Sequence, residues 1–261
     1  LNRTVAQRLV PEGNHLVGAE KRPAIPPPNK SEIAWRSRPM TQKTKTALPP
    51  HQIFAVGLIL STLAGYLEAY TYLLRGGVFC NGQTANIALM ALAFARGDMP
   101  KALSYPIPIL SFFVGIVFAA QLRERISGIR RFRWEAAILL MEAALLFLVG
   151  LVPLTYAHAP VNVLVTFICA VQYEIFRETR GLPYASIFCT GNLRSAAEHF
   201  HAFAAKRDRT AGEACLHYIL VILAFAVGVF GGAHLSNLLG ARSIWVCCLM
   251  LFALVPIMFK R

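Results

Sequence analysis

The chain has 261 residues, 56% hydrophobic and 15% charged, with 26 Lys and Arg against 13 Asp and Glu for a formal charge of +13. That composition is too apolar for an ordinary soluble domain and fits a polytopic helical membrane protein. The charge does not point to nucleic acid, because the basic residues lie mainly outside the apolar runs, where orientation signals and anionic headgroups act on them.

Residues Leu1 to Pro50 are polar and proline-rich, with Pro26-Pro27-Pro28 and a spread of Arg3, Arg8, Lys21, Arg22, Arg36, Arg38, Lys43 and Lys45. They read as a disordered basic cytoplasmic tail that can rest on anionic lipid. No apolar segment precedes residue 53, so a secretory signal peptide is not expected. Residues 51–261 then form a single transmembrane domain.

The first apolar run, Ile53 to Leu74, is long enough to cross a hydrocarbon core of about 30 Å. Arg75-Gly76-Gly77 ends it, and the polar cluster Asn81 to Asn86 leads into a short apolar segment, Ile87 to Ala95, that covers about half a bilayer as helix. Ala102 to Leu122 is the next span. A loop with Arg123, Arg125, Arg130, Arg131 and Arg133 follows, and then Trp134 to Val152, with Glu142 near its middle.

The second half repeats this order. Glu174 lies 106 positions after Glu68 (174 − 68), Thr190 lies 106 after Thr84, and Asn192 lies 106 after Asn86. Val161 to Phe176 matches the first run, Leu193 to Ala205 the short segment, Ala214 to Leu235 the next span and Ser243 to Phe259 the last. Phe112-Phe-Val-Gly115 matches Phe225-Ala-Val-Gly228 at an offset of 113 (228 − 115), as an insertion between the short segment and the next span would produce.

Basic loops arbitrate whether the short segments cross. If both did, the arginine-rich loop 123–133 would lie outside, against the positive-inside rule. If neither does, that loop, Arg177, Arg180, Lys206, Arg207, Arg209, Lys260 and Arg261 are all inside; Arg96 and Lys101, with Asp98 between them, are outside. The expected fold class is therefore an all-α integral membrane protein of about six transmembrane helices in two inverted three-helix repeats, about 53–152 and 161–259. Each repeat carries an additional short non-spanning or broken helix. Residues 193–205 read as amphipathic, with Arg194, Glu198 and His201 on one face.

An acid in the first span, a Thr-x-Asn turn after a Phe, six apolar spans and a second Phe188-Cys189-Thr190-Gly191-Asn192 turn together resemble the YoaK-like family of bacterial multi-pass membrane proteins of unknown function. The resemblance covers about residues 53 to 259. It implies a bacterial cytoplasmic membrane protein. Two positions depart from the family pattern: Glu68 stands where aspartate is usual, and Ala85 stands where glycine is, so that its Cβ would disfavour a left-handed backbone and leave the first turn looser.

Glu142 is about eight residues into its span, where a charged side chain costs about 2.5–3.5 kcal/mol on insertion scales. It reads either as a proton- or ion-coupling acid or as a protonated carboxyl hydrogen-bonded to a neighbouring helix. Glu68, among Tyr66, Tyr70 and Tyr72, reads either as a site acid or as an interfacial carboxylate reaching water; Glu174, beside Arg177, reads as an interfacial carboxylate. The triplets Thr84-Ala85-Asn86 and Thr190-Gly191-Asn192 precede helical segments and can cap free N–H groups, or can line a central polar site. Arg194 is a phosphate or carboxylate ligand, or a surface partner of Glu198.

The six cysteines form no CxxC pair, and His199 and His201, two apart, cannot share a helix face, so neither metal nor cofactor is expected. No hydrolase, Walker or dinucleotide fingerprint occurs, which argues against an enzyme. An enzyme acting on a lipid headgroup would have only Glu174, Arg177, Arg194 and Glu198 to work with. The leading expectation is a secondary transporter or permease for a small polar solute, with proton coupling by Glu68 and Glu142. Expected partners are membrane lipids and a small polar solute or proton, with a homo-oligomer open. The alternative is a non-transporting scaffold or sensor whose basic tail and amphipathic segment engage lipid or a partner; there, deleting residues 1 to 50 abolishes function while substitutions at Glu68 and Asn192 are tolerated.

Overall fold

The computed structural model describes residues 49–126 and 134–259. The basic tail up to residue 48, Arg130, Arg131 and Arg133 of the central loop, and Lys260 and Arg261 lie outside the described residues. The described chain folds as helices α1 (Phe54–Leu74), α2 (Gln83–Ala95), α3 (Met99–Ala102), α4 (Pro106–Ile126), α5 (Trp134–Leu151), α6 (His158–Ile175), α7 (Cys189–Lys206), α8 (Arg209–Leu239) and α9 (Trp245–Met258). Between α6 and α7, strands β1 (Glu178–Thr179) and β2 (Leu182–Pro183) pair antiparallel. Arg180 and Gly181, both at positive φ, form the two-residue tip that such a hairpin favours.

Every expected apolar run is a helix, with boundaries set by local chemistry. The third run starts later than expected because Ala102 belongs to α3, whose start Asp98 caps by accepting the Lys101 N–H at 3.1 Å. Pro106, which has no N–H to lose, then opens α4. Asp208 caps α8 by accepting from the Thr210 N–H and hydroxyl, at 2.9 and 2.7 Å. Those bonds hold its exposed carboxyl below the ordinary range, so the cap is complete at neutral pH and is lost as pH falls through that depressed value.

Three helical stretches, Phe54–Leu74, Met99–Ile126 and Trp134–Leu151, are long and apolar enough to cross a membrane. A fourth stretch, Arg209–Met258, is 50 residues long and is broken into α8 and α9 at Gly240, which sits at φ +57°. Helix α6 carries Asn162, Thr166 and Gln172, all buried; neighbouring helices screen these polar groups from lipid. Large apolar side chains face outward instead, Phe113 at 67%, Phe230 at 78% and Leu249 at 68% exposure. A soluble protein would not present such a surface, and the chain is an all-α integral membrane protein.

Helix α1 packs mainly on α8, α4 on α6, α5 on α9, and α7 on α8. The first two contacts are made through glycine. A Cβ at Gly228 of α8 would overlap the Thr62 carbonyl of α1, and one at Gly65 of α1 would overlap the Phe225 carbonyl of α8. In the other pair, a Cβ at Gly115 of α4 would lie 2.7 Å from Ala170 Cβ and 3.0 Å from the Phe167 carbonyl of α6. Gly115 and Gly228 are the glycines that match between the two halves of the sequence, and each meets a helix of the opposite half.

The helix ends gather at two poles. At one, Arg123 and Arg177 share Glu174 at 3.3 and 2.9 Å, and Gln52 donates to Glu178 at 3.1 Å. At the other, Arg75 is fully buried and bonds Tyr70 Oη at 2.8 Å and the Val152 carbonyl at 2.9 Å, while Asn162 donates to the Arg75 carbonyl at 2.8 Å.

Candidate functional site

Glu68 lies on the fourth turn of α1 and turns toward the loop that starts α2. Its Oε2 accepts the Asn81 N–H at 2.8 Å and the Cys80 thiol at 3.4 Å. A carboxylate is thereby seated at the positive end of α2. Gly82 makes room for it, since a Cβ there would stand 2.7 Å from Glu68 Oε1. Asn81 is fully buried and donates to the Ala64 carbonyl at 2.9 Å, which leaves its Oδ1 without a partner among the described residues. No cationic side chain pairs with Glu68 among the described residues. Cys189, the first residue of α7, lies within electrostatic reach of the same acid.

Asn86 and Asn192 are buried and do the same job in each half. Asn86 Oδ1 accepts the Phe79 N–H at 3.0 Å and its Nδ2 donates to the Phe79 carbonyl at 2.7 Å; Asn192 holds Ala185 in the same way at 3.2 and 2.6 Å. Phe79 and Ala185 are again 106 apart (185 − 79). Each asparagine thus reaches back seven residues and pins the incoming chain, rather than capping the helix start as its position suggested. Thr84 and Thr190 are exposed within the first helical turns, and neither hydroxyl has a partner among the described residues. Gly191 has an ordinary helical backbone with nothing near its missing Cβ, so Ala85 loses nothing at the matching place, contrary to the looser turn expected there. Asn192→Ala removes two hydrogen bonds and strands a backbone N–H and C=O, and should lower unfolding stability by about 2–3 kcal/mol, as read by denaturation in detergent.

The second half diverges where the first holds its acid. The residue 106 after Gly82 is Phe188, whose ring packs against Tyr173 at 5.3 Å and Phe112 at 6.3 Å between centroids. That side chain takes the space a carboxylate would need, and Glu174 pairs with Arg123 and Arg177, as its interfacial reading anticipated. Ser186, the counterpart of Cys80, keeps a buried hydroxyl with no partner among the described residues. Arg194 pairs with Glu198 at 2.9 Å on an exposed face, an arrangement worth at most about 1 kcal/mol.

Glu142 does not join this site. It is fully buried on α5, and neither oxygen has a hydrogen-bond partner among the described residues. Leaving such a group unsatisfied costs about 1–3 kcal/mol, so Glu142→Leu should raise unfolding stability by about that much while Glu142→Gln gains nothing. A loss of stability in the leucine variant would expose a partner for the carboxyl.

Two cavities lie beside the short helices. One, of about 280 Å³, is lined by Tyr72, Gly77, Arg96, Asp98, Lys101 and Tyr105. The other, of about 310 Å³, is lined by Tyr173, Arg177, Tyr184, Gly191, Asn192 and Ser195. Sequence reasoning missed Arg75, Asn81, Gly82 and Tyr184. Arg75 had a usable signal, a lone arginine between an apolar run and Gly76-Gly77; the others acquire their roles only from contacts between segments.

A family model described as "Protein of unknown function (DUF1275)" matches residues 56–257. The UPF0700 transmembrane protein YoaK of Bacillus subtilis (strain 168) is similar, 23% identical over 205 residues that cover 76% of this chain and 90% of that protein. No solved structure matches. The chain belongs to the DUF1275 family.

Proposed function

We propose that this DUF1275 member is a permease or secondary transporter for a small polar solute in the bacterial cytoplasmic membrane, with Glu68 as its central acid. The observation that carries the reading is the seating of the Glu68 carboxyl at the start of a short helix, where it has no cationic partner among the described residues. Broken helices that aim their starts at a mid-membrane site are how inverted-repeat transporters hold polar cargo without exposing backbone to lipid.

In this reading α1, α4, α5, α6, α8 and α9 cross the bilayer as two three-helix halves of opposite orientation, and α2 and α7 enter from opposite faces without crossing. The crossed pairing of α1 with α8 and of α6 with α4, through Gly228 and Gly115, supports it. The pole holding Arg123, Arg177, Arg180, Lys206, Arg207 and Arg209 is the cytoplasmic one by the positive-inside rule, which places both termini inside. The two cavities are then the vestibules, and Tyr72 stacked on Phe79 at 4.5 Å and the cluster of Phe112, Tyr173 and Phe188 are the gates. Because Glu68 has no counter-charge among the described residues, a proton or a cationic group on the solute is what would change its state, and that supplies the coupling.

Proteoliposomes carrying the full chain under an imposed pH gradient test the function: gradient-driven uptake of at least one solute from a broad panel of small polar compounds is expected, and no flux across the panel overturns the reading. Accessibility labelling of cysteines placed in 96–101 and 123–133 tests the topology. The two loops should label from opposite sides, and labelling from one side sinks it.

A further inference from the structure

The cavity of about 310 Å³ at the arginine-rich pole offers hydrogen-bond donors with nothing to receive them. We infer that it binds the carboxylate of a small organic acid. As a statement about substrate class this rests on the permease reading; binding itself does not require transport.

No acidic residue lines the cavity. Helix α7 begins beside it with no side-chain cap and no acid in its first turn, and Gly191 and Asn192 of that turn line the cavity. In the first half the equivalent helix start is occupied by Glu68; here Phe188 excludes that arrangement, and Glu174 has gone to Arg123 and Arg177. Arg177 gives Nη1 to Glu174 and keeps Nε and Nη2 unbonded among the described residues, and one carboxylate shared by two arginines leaves net positive charge at the cavity edge.

Tyr184 supplies an observation independent of the helix start. It is 7% exposed and lines the cavity, and its hydroxyl has no hydrogen bond among the described residues. Burial pushes that hydroxyl above its ordinary range, so it stays a donor at neutral pH. Ser195, whose hydroxyl is engaged by Tyr218, also lines the cavity, and Ser186, in the loop leading to the helix, keeps a buried hydroxyl without a partner among the described residues. Arg177 Nε and Nη2 and the Tyr184 hydroxyl are left without an acceptor among the described residues at one cavity, and a flat two-oxygen anion answers them. The volume holds a compound of a few heavy atoms. The carboxylate can come from a free acid in the cytoplasm or from a lipid headgroup such as phosphatidylserine.

Titration calorimetry on the purified full chain with sodium lactate, sodium succinate and sodium phosphate tests the assignment. Saturable binding of at least one of the two carboxylates is expected, weakened about tenfold or more in Arg177→Gln and weakened in Tyr184→Phe. Gly191→Leu should abolish it by filling the cavity; because nothing lies within 4 Å of a Cβ at Gly191, its melting temperature should match that of the parent chain. No saturable carboxylate binding, binding unchanged in both Arg177→Gln and Gly191→Leu, or a preference for phosphate overturns the proposal. Repeating the titration in nanodiscs separates the sources: phosphatidylserine weakens binding relative to phosphatidylcholine if the headgroup is the occupant, and leaves it unchanged if a soluble acid is. Binding without flux in proteoliposomes upholds the site and removes the permease reading; flux of a solute without carboxylate binding does the reverse.

Discussion

Gly228→Val is expected to leave almost no folded protein in the membrane, while Gly231→Ala, three residues along the same helix, is expected to fold at least as well as the parent. At Gly228 the α8 backbone meets the Thr62 carbonyl of α1 so closely that the first side-chain carbon would overlap it, and Gly65 makes the reciprocal approach to Phe225. Backbone cannot rotate away as the end of a side chain can. Overpacking a core typically costs about 1–3 kcal/mol, and an overlap of two helix backbones should exceed that range. It also separates α1 from α8, the most extensive helix pair in the molecule, and that pair joins the two halves. Nothing lies within 4 Å of a Cβ at Gly231, and alanine there gains about 1 kcal/mol of helix propensity. Expression level and thermal unfolding in detergent read both variants. A Gly228→Val protein that folds like the parent would refute the close α1–α8 contact.

Glu68→Gln should abolish gradient-driven uptake, to the level of empty liposomes, in a protein that still folds. The glutamine oxygen can take the Asn81 N–H that the carboxylate takes now, so the loop and the start of α2 keep their anchor. What is lost is the charge, and hydrogen bonds to charged groups are worth about 1 kcal/mol more than neutral ones, which sets the modest fall in stability. Gly82→Ala makes the complementary change. Its Cβ would stand 2.7 Å from Oε1 and displace the flexible carboxyl while keeping the charge, so uptake should fall here too. Undiminished gradient-driven flux in Glu68→Gln would remove Glu68 from the mechanism and leave Glu142, apart on α5, as the remaining intramembrane acid.

The helices were legible because the apolar runs are long and because a bilayer permits few other spanning structures. A recurrence was legible from Glu68, Thr84 and Asn86 matching Glu174, Thr190 and Asn192 at a spacing of 106, and the same spacing recurs in the backbone groups that Asn86 and Asn192 hold. The candidate site was legible only in part. Glu68 and the two asparagines were named, but the asparagines proved to be clamps, the threonines point outward, and Glu142 belongs to the contact of α5 with its neighbours. A periodic pattern says which side of a helix is apolar; it does not say which residue of another helix that side meets.

By itself the sequence determined an all-helical membrane protein, the order of its segments and the residues that repeat, since these follow from hydrophobic length and from identity at a fixed spacing. Tertiary structure decided what each repeated position does. The Gly82 and Phe188 pair makes the point: one lacks a side chain and admits a carboxylate, the other fills the space with a ring and sends Glu174 to two arginines. Equivalent positions in sequence became an acid site in one half and an open, acid-free cavity in the other, because packing acts on volume and charge where the chain folds back on itself.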